Sequence, residues 1–396
     1  MGNRPLPDPD AVYDILFSLS ETGDPKPGAA SVIDVGSEQF IDYIENEILD
    51  NFVSSGGSTC RFFEGSYGSG KTHILQLIED RALENGFVVC HIDLKHDLSF
   101  GEWDQITKHI LENCYIKYDN RIIRRFPEIL EALEHNEFLH RDDYKEIQLQ
   151  HACFQNAIQY AISRSLLDDN AWYTLRRYLL GEKVRVYELK EAGLKRVKKS
   201  LSKNNAEQVL NTVLNSFYYL GLKGTILLFD ETDRSWTSSR KPIPKRVTVA
   251  ANLIRRFIDS CSSGEIAGTV ATFAVLPNFI RDCIDCYPAL GQRLEVQWND
   301  ATKMSWRSPI LPVNAVNSYF LNVENPLNQR ELFLEHAINK FKSLVEYCGG
   351  NTDDIENDFQ TIGRQELQNW AGDEYKRAII RALTTCAVDR IDEYRV

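Results

Sequence analysis

Apolar residues in the first quarter of the chain follow the pattern of a helix, a strand, a second helix and a second strand. Helical spacing over residues 38–53 predicts an amphipathic helix, and the short apolar run Cys60–Phe63 predicts a strand. A helical pattern over residues 74–83 is predicted to end at Gly86. The near-continuous apolar run Phe87–Leu94 is typical of a buried parallel strand. Strand, loop, helix and strand together predict a βαβ unit.

Helical patterns dominate the rest of the chain and are interrupted by two buried strands. Residues 103–220 are predicted to be mostly helical, without a strand, and helices dominate again from about residue 305. The separate elements predicted in this part are strands over Thr225–Phe229 and Gly268–Leu276 and helices over Val247–Ile258, Glu331–Tyr347 and Glu366–Tyr394. Strands and helices that alternate in this way predict a three-layer α/β sandwich with a parallel sheet.

Composition places the chain among ordinary soluble proteins. With 396 residues, 43% hydrophobic and 26% charged, it is long enough for two or three lobes. No apolar run approaches the roughly 20 residues that span a bilayer, and the start of the chain lacks the apolar segment of a secretory signal. Leu6 stands where a myristoylation motif needs Ser or Thr. We therefore expect a cytoplasmic protein without membrane contact.

The nine cysteines are scattered along the sequence, and Cys283 and Cys286 form the one close pair. A zinc site would need a second Cys or His pair at matching spacing, which the sequence does not contain. The apolar surroundings of residues such as Cys90 and Cys386 are typical of buried thiols. We therefore predict buried thiols and no structural metal.

Charge is distributed unevenly. The net charge of −12 argues against a protein that coats nucleic acid over its whole surface. Residues 171–203, however, hold ten Lys or Arg against three Glu, a local charge of +7, and residues 238–246 are also basic. Within the first segment a predicted helix has an apolar face with Leu194, Val197 and Leu201 and a basic face with Lys195, Arg196, Lys198 and Lys199. Two interpretations stay open, a solvated helical face and a surface that follows DNA phosphates.

The loop after the first predicted strand carries the clearest chemical motif. Residues Gly65–Thr72 fit the pattern G-x-x-x-x-G-K-[ST] in full. Its glycines let backbone N–H groups face phosphates, and the following helix adds its positive end. In this pattern Lys71 contacts the β- and γ-phosphates and Thr72 coordinates Mg²⁺. The sequence therefore predicts a P-loop for ATP or a related nucleotide, with the binding residues Gly65, Ser66, Tyr67, Gly68, Ser69, Gly70, Lys71 and Thr72.

An acidic pair follows the predicted strand Thr225–Phe229. Asp230 is predicted to hold Mg²⁺, and Glu231 is predicted to polarise the attacking water of a hydrolysis reaction. A strand that merely ends in a polar turn is the alternative when this pair is considered without the P-loop. Asp233 lies close by, either as a further acid or as a solvated turn residue.

Several further stretches are shared with a known family. They are Val35–Glu38, Phe63–His73, the segment around Gly181, Lys203–Ala206, Gly221–Glu231 and Tyr287–Leu294. In these stretches the chain resembles the origin-recognition-like AAA+ ATPases, and among them the ATP-binding proteins of BREX and related bacterial phage-defence loci. The resemblance spans about residues 30–300. It implies an AAA+ core, ATP hydrolysis, self-association and partners among other defence proteins.

The resemblance also implies roles for residues outside the P-loop. Thr272, with Thr269 behind it, is the expected polar residue between the acidic pair and the γ-phosphate, unless it only fills the strand. Arg293 is expected to act as an arginine finger on a neighbouring subunit's nucleotide, or else to be a surface cation. The expected nucleotide-binding set is completed by Gly36, His73 and Arg377.

Together these patterns predict three regions. They are an extended lead-in over residues 1–30, an AAA+-like core over 31–300 with a helical insertion at about 100–215, and a C-terminal helical lid over 301–396. The predicted function is a Mg²⁺-dependent ATPase that switches conformation or assembly, in antiviral defence and on DNA. Two alternatives remain, a nucleotide-gated scaffold with negligible turnover and a small-molecule kinase, which the distant acidic pair disfavours.

Overall fold

The computed structural model describes the chain over residues 6–22, 28–94, 102–136, 139–231, 245–295, 306–318, 326–370 and 372–395. Within them, seven strands form one sheet in the order β4-β3-β2-β5-β6-β1-β7. The strands are β1 (Ser58–Glu64), β2 (Val88–Asp93), β3 (Tyr115–Tyr118), β4 (Arg121–Arg124), β5 (Thr225–Asp230), β6 (Thr269–Val275) and β7 (Ile310–Pro312). The chain is therefore an α/β protein, as its sequence predicts.

Helices link the strands and make up most of the C-terminal part. The α-helices of the described residues are α1 (Pro9–Thr22), α2 (Ala30–Ile33), α3 (Glu38–Tyr43), α4 (Lys71–Glu84), α5 (Trp103–Asn113), α6 (Phe126–Ala132), α7 (Arg141–Glu146), α8 (Ala152–Ala161), α9 (Asp169–Leu179), α10 (Val186–Glu191), α11 (Ala206–Tyr219), α12 (Lys245–Ser262), α13 (Phe279–Cys286), α14 (Pro288–Glu295), α15 (Pro326–Tyr347), α16 (Ile355–Asn369) and α17 (Tyr375–Arg395). Residues Ile44–Val53 continue α3 as a π-helical segment. Among these described helices, none has both the length and the apolarity of a membrane span.

Three parallel strands, β2, β5 and β6, form the buried centre of the sheet. β2 pairs with β5 from Val88 opposite Thr225 to Asp93 opposite Asp230, and β6 pairs with β5 from Thr269 opposite Thr225 onward. Every residue of β5 and β6 is buried. Strands buried on both faces carry continuous apolar runs. For this reason the sequence predicts the ends of these three strands to within one residue.

Two compact units divide the chain. The first comprises residues Met1–Tyr43, Phe63–Asp80 and Met304–Val396, and the second comprises Ile44–Phe62 and Arg81–Lys303. The first unit therefore contains the glycine-rich loop and the C-terminal helices, and the second contains the acidic pair. The three regions predicted from the sequence, with boundaries near residues 30 and 300, stay a prediction.

Each unit has its own apolar core. In the first unit, helices α1, α15, α16 and α17 pack around buried residues that include Leu16, Phe341, Phe359 and Leu383. In the second unit, β5 and β6 contribute the stacked rings of Phe229 and Phe273, whose centres lie 4.6 Å apart.

The extended lead-in predicted over residues 1–30 is wrong for residues 9–22, which form α1. Val12, Leu16 and Leu19 recur at helical spacing and are buried in the core of the first unit. The high proline and glycine content on both sides of this helix hides the apolar pattern in the sequence.

The prediction of no strand between residues 103 and 220 is also wrong. β3 and β4 form an antiparallel hairpin, and β3 pairs antiparallel with β2. The hairpin turns at Asp119 and Asn120, whose φ angles are +48° and +59°. Positive φ at both central residues is the geometry of a two-residue hairpin turn. Strands of four residues are too short to reveal their alternation in the sequence.

The single helix predicted over Glu366–Tyr394 is in fact two helices. α16 ends at Asn369 and α17 begins at Tyr375. Gly372 lies in this break and has no side chain with which to continue the apolar pattern. β7, before this region, is likewise absent from the predicted elements. The break belongs to the candidate site because residues just before α17 contact the glycine-rich loop.

All nine cysteines carry free thiols. Cys60, Cys90, Cys114 and Cys283 are buried, and the other five are half-buried. In the part of the chain that the structure describes, no group of three or more His, Cys, Asp and Glu side chains is placed to hold a metal ion.

Candidate functional site

The loop between β1 and α4 is wound around its glycines. Gly68 and Gly70 have φ angles of +74° and +101°, which L side chains rarely adopt. A Cβ atom at Gly65 would lie 2.3 Å from the Ser69 hydroxyl oxygen, and one at Gly68 would lie 2.7 Å from Glu374 Cα. Geometry therefore requires the glycines of the sequence motif.

Lys71 begins α4 and turns its side chain into the loop. The residue is 9% exposed, and its Nζ donates hydrogen bonds to the carbonyl oxygens of Gly65 at 2.7 Å and Ser66 at 2.8 Å. The same nitrogen lies 5.4 Å from the centre of the Tyr67 ring. A positive charge is thus held inside the loop.

Ser69 gives the best indication that the loop accepts a ligand. The residue is 2% exposed, and its hydroxyl oxygen has no hydrogen-bond partner among the described residues. Buried hydroxyls nearly always have a partner, so this one is available to a ligand oxygen such as that of a phosphate. Thr72 is exposed in the first turn of the 14-residue helix α4, where anions are favoured. The loop residues therefore fit a nucleotide phosphate.

A buried carboxylate fastens the start of α4. Asp34 is 3% exposed, lies 3.0 Å from His73 Nε2 and accepts a hydrogen bond from the Ser37 amide at 3.0 Å. Gly36, between them in sequence, has a φ angle of +88°. Burial, followed by the charge of Asp34, raises the pKa of Glu38. The structure thus groups Gly36 and His73 around Asp34, which the sequence analysis missed, and their role toward a nucleotide stays a prediction.

The break before α17 brings two charged residues to the loop. The Asp373 carboxylate accepts a hydrogen bond from the Ser66 hydroxyl. The Lys376 ammonium lies 3.5 Å from the Ser69 carbonyl oxygen and donates a hydrogen bond to Asn314 Oδ1 at 2.6 Å. Neither residue stands out in the sequence, because its contact with the loop joins positions 307 residues apart.

Lys376, one position before the predicted Arg377, is buried against the loop. Burial lowers the pKa of Lys376 to about 8, although the charge of Asp373 acts in the opposite direction. Arg377 is exposed, and its predicted contact with phosphates stays a prediction.

In the second unit, the acidic pair lies where β5 ends. Asp230 is 5% exposed, and its Oδ1 accepts a hydrogen bond from the Glu231 amide at 2.8 Å. Glu231 has a φ angle of +51°, so the chain turns sharply between the two acids. Asp93, the last residue of β2, lies opposite Asp230 in the parallel register of β2 and β5. His91 Nε2 lies 4.0 Å from Asp230 Oδ2. Asp93 and His91 were not singled out in the sequence, where they only end an apolar strand.

The two threonines of β6 bond to backbone groups. Thr272 is 1% exposed and donates a hydrogen bond to the Leu227 carbonyl oxygen at 3.3 Å. Thr269 donates to the Ala267 carbonyl oxygen at 3.2 Å. These contacts fit residues that stabilise the strand, and the predicted position of Thr272 near the γ-phosphate stays a prediction.

Arg293 on α14 is held by an ion pair within its own unit. Its Nε lies 2.9 Å from Asp259 Oδ1 on α12, and Arg255 Nε lies 3.3 Å from the other oxygen of the same carboxylate. The action of Arg293 as an arginine finger on another subunit stays a prediction, and it would require this pair to open.

The helix predicted around Leu194 and Leu201 is wrong. α10 ends at Glu191, and residues 192–205 form turns and stretches without regular secondary structure. Leu194, Val197 and Leu201 are buried, as predicted for one face. Positive φ angles at two of the basic residues, however, prevent a helix. The apolar spacing alone could not distinguish these conformations.

The same segment presents its basic side chains to solvent from a fastened backbone. The exposed residues are Lys195, Arg196, Lys198 and Lys199. The Tyr160 hydroxyl accepts a hydrogen bond from the Lys195 amide at 3.2 Å, and the Tyr178 hydroxyl donates to the Lys198 carbonyl oxygen at 2.7 Å. Of the other basic stretch, residues 238–246, positions 238–244 lie outside the described residues, as does Asp233.

These features describe an α/β protein whose first unit has a glycine-rich, lysine-containing loop between a strand and a helix. Residues 9–132 and 141–323 match the family model described as BREX system ATP-binding protein BrxC/D. The match covers well over half of the chain, so the chain belongs to this family, and the predicted resemblance to the ATP-binding proteins of BREX is confirmed. No curated protein and no solved structure matches the chain.

We predict that Lys376 makes stability depend on pH above neutrality. Because its pKa is about 8 in the folded state and about 10.5 in an unfolded chain, the unfolded state binds more protons between these values. The free energy of unfolding should therefore rise with pH, by at most about 1.4 kcal/mol per unit from this residue. Urea unfolding of the wild type and Lys376→Met at pH 7.5, 8.5 and 9.5 measures the difference.

The matched control is Lys342→Met, which removes a more exposed lysine of the same unit. The free energy of unfolding of Lys342→Met should exceed that of Lys376→Met by an amount that grows with pH. A constant difference between these variants would contradict the assignment.

Proposed function

We propose that this protein is a Mg²⁺-dependent ATPase of the AAA+ type that uses nucleotide binding and hydrolysis to switch conformation or assembly in bacterial antiviral defence. The observation that carries the proposal is the loop at Gly65–Thr72, with its buried Lys71 and the buried Ser69 hydroxyl, which has no hydrogen-bond partner among the described residues. Membership of a BREX ATP-binding family supports the nucleotide and the defence role. Self-association and other proteins of the defence system are the proposed interactions.

The strand order supports the proposed AAA+ type. β6 lies between β1, which leads into the glycine-rich loop, and β5, which ends in the acidic pair. An inserted strand at this position is expected of additional-strand NTPases of the AAA+ type. Thr272 on β6 is the proposed polar residue of this strand, and Arg293 is the proposed finger.

The proposed chemistry divides among a few residues of the chain. Backbone amides of the loop and the Lys71 ammonium bind the β- and γ-phosphates. Thr72 and Asp230 would hold Mg²⁺, which neutralises charge on the phosphate oxygens. Glu231 accepts a proton from the water that attacks the γ-phosphate. Gly36, His73 and Arg377 are proposed to contact the bound nucleotide, as the family resemblance implies.

We predict that Glu231→Gln separates binding from hydrolysis. The amide keeps the size of the side chain but cannot accept the proton, so phosphate release should fall at least about 100-fold while ATP binding persists. Phosphate release and equilibrium ATP binding, each with Mg²⁺ and with EDTA, measure the two effects. Glu265→Gln, on a loop of the same unit, is the charge-matched control.

Three results discriminate between the functional hypotheses. Wild-type turnover that Glu231→Gln retains would remove Glu231 from its role. ATP binding without turnover in the wild type would favour the nucleotide-gated scaffold. The ion pair of Arg293 with Asp259 also fits a scaffold, because it engages the proposed finger within its own unit. A phosphorylated acceptor in place of free phosphate would favour a kinase.

DNA is the proposed macromolecular ligand of the basic segment at residues 195–199. Four exposed cations on a backbone fastened by Tyr160 and Tyr178 favour contact with a row of phosphates. Phosphate contacts of this type position a protein on DNA without reading its sequence.

We predict that replacing Lys195, Arg196, Lys198 and Lys199 by Gln weakens binding to duplex DNA and its dependence on salt. The slope of log K against log salt is negative, and its magnitude should decrease by about 0.9 for each lost phosphate contact. The matched control replaces four exposed lysines of the same unit, Lys108, Lys117, Lys145 and Lys223. Equal slopes for the two quadruple variants would contradict DNA binding at this segment.

A further inference from the structure

The start of α17 lies directly against the glycine-rich loop. Glu374 Cα is so close to Gly68 that a Cβ atom there would lie 2.7 Å away. Asp373 and Lys376, on either side of Glu374, both bond to loop residues. Backbone and side chains of this segment therefore contact the loop together.

Ser66 contacts both the segment before α17 and the Lys71 ammonium. Its hydroxyl donates to the Asp373 carboxylate, and its carbonyl oxygen accepts from Lys71 Nζ at 2.8 Å. A nucleotide bound by the P-loop motif needs the Lys71 ammonium directed at its β- and γ-phosphates. The bond between Lys71 and the Ser66 carbonyl oxygen thus belongs to an arrangement that a bound triphosphate has to change.

The negative charge of Asp373 also opposes the binding of nucleotide phosphates. A carboxylate bonded to the second residue of the loop lies near the negative phosphates that the loop is proposed to bind. Like charges that lie close together in a partly buried environment repel each other appreciably. Lys376 has the opposite sign, but it is engaged with Asn314 and with a carbonyl oxygen of the loop.

We propose that Asp373 is an autoinhibitory latch: its hydrogen bond to Ser66 and the binding of nucleotide phosphates exclude each other, so that nucleotide binding releases the start of α17. The inference rests on the proposed function, because it concerns nucleotide binding by the same loop. It gives the C-terminal helix a way to report the state of the loop.

The direct test is the affinity for a fluorescent ATP analogue with Mg²⁺. Asp373→Asn removes the negative charge and weakens the bond to Ser66, so it should bind the analogue about tenfold more tightly than the wild type. Ser66→Ala removes the same bond from the other side, and should tighten binding less because the carboxylate stays. Asp389→Asn, an equal charge change on an exposed residue far along α17, is the control and should leave affinity unchanged.

Amide hydrogen exchange provides a second readout at α17 itself. In the wild type, ATP should speed exchange over residues 372–380, where the Lys376 amide donates to the Asp373 carbonyl oxygen and the Ala378 amide donates to that of Glu374. In Asp373→Asn the same peptide should exchange faster before ATP is added. Slower exchange with ATP in the wild type would mean that α17 closes on the nucleotide, and would overturn the latch.

The remaining outcomes separate this inference from the proposed function. If Lys71→Ala abolishes binding while Asp373→Asn binds like the wild type or more weakly, the latch is wrong and the P-loop assignment stands. If Lys71→Ala binds like the wild type, the P-loop assignment fails and the latch fails with it. If Asp373→Asn does not fold, unchanged or weaker binding by Ser66→Ala overturns the latch.

Discussion

The burial of the Lys71 ammonium beside the carbonyl oxygens of Gly65 and Ser66 is the contact on which the candidate site depends. A cation in this position needs polar partners, because an unpaired buried charge is costly. The loop supplies these backbone oxygens from two neighbouring residues, and its glycines permit the close contacts at Gly65 and Gly68. The positive φ angles of Gly68 and Gly70, the start of α4 at Lys71 and the buried hydroxyl of Ser69 all belong to the loop that holds this contact.

The second unit solves a different physical problem, which is to hold an acid at the end of an apolar strand. β5 is buried along its whole length, and its neighbours β2 and β6 pair with it in parallel. The carboxylate of Asp230 is therefore fixed by the sheet, and the amide of Glu231 satisfies one of its oxygens. A rigid strand with a sharp turn after it is a suitable support for residues that must act at defined positions.

The parts of the structure that the sequence predicts well are those that local chemistry decides. Burial on both faces leaves long apolar runs in β2, β5 and β6, and the glycines and Lys71 reveal the loop by their types and spacing. Asp373 and Lys376 could not be found in this way, because each contacts a loop residue 307 positions away. The segment around Arg196 was misassigned because burial of every third or fourth residue fits both a helix and a turn-rich chain, and the positive φ angle of Arg196 is not visible in the pattern.

The central claim is that the loop at Lys71 binds ATP, and calorimetric titration of ATP with Mg²⁺ into the wild type and Lys71→Ala tests it most directly. The wild type should bind one ATP per chain, and the variant should bind at least about tenfold more weakly, since it loses a charged partner of the phosphates. Thermal unfolding without nucleotide shows whether the variant is folded. Equal affinities of two folded proteins would contradict the account.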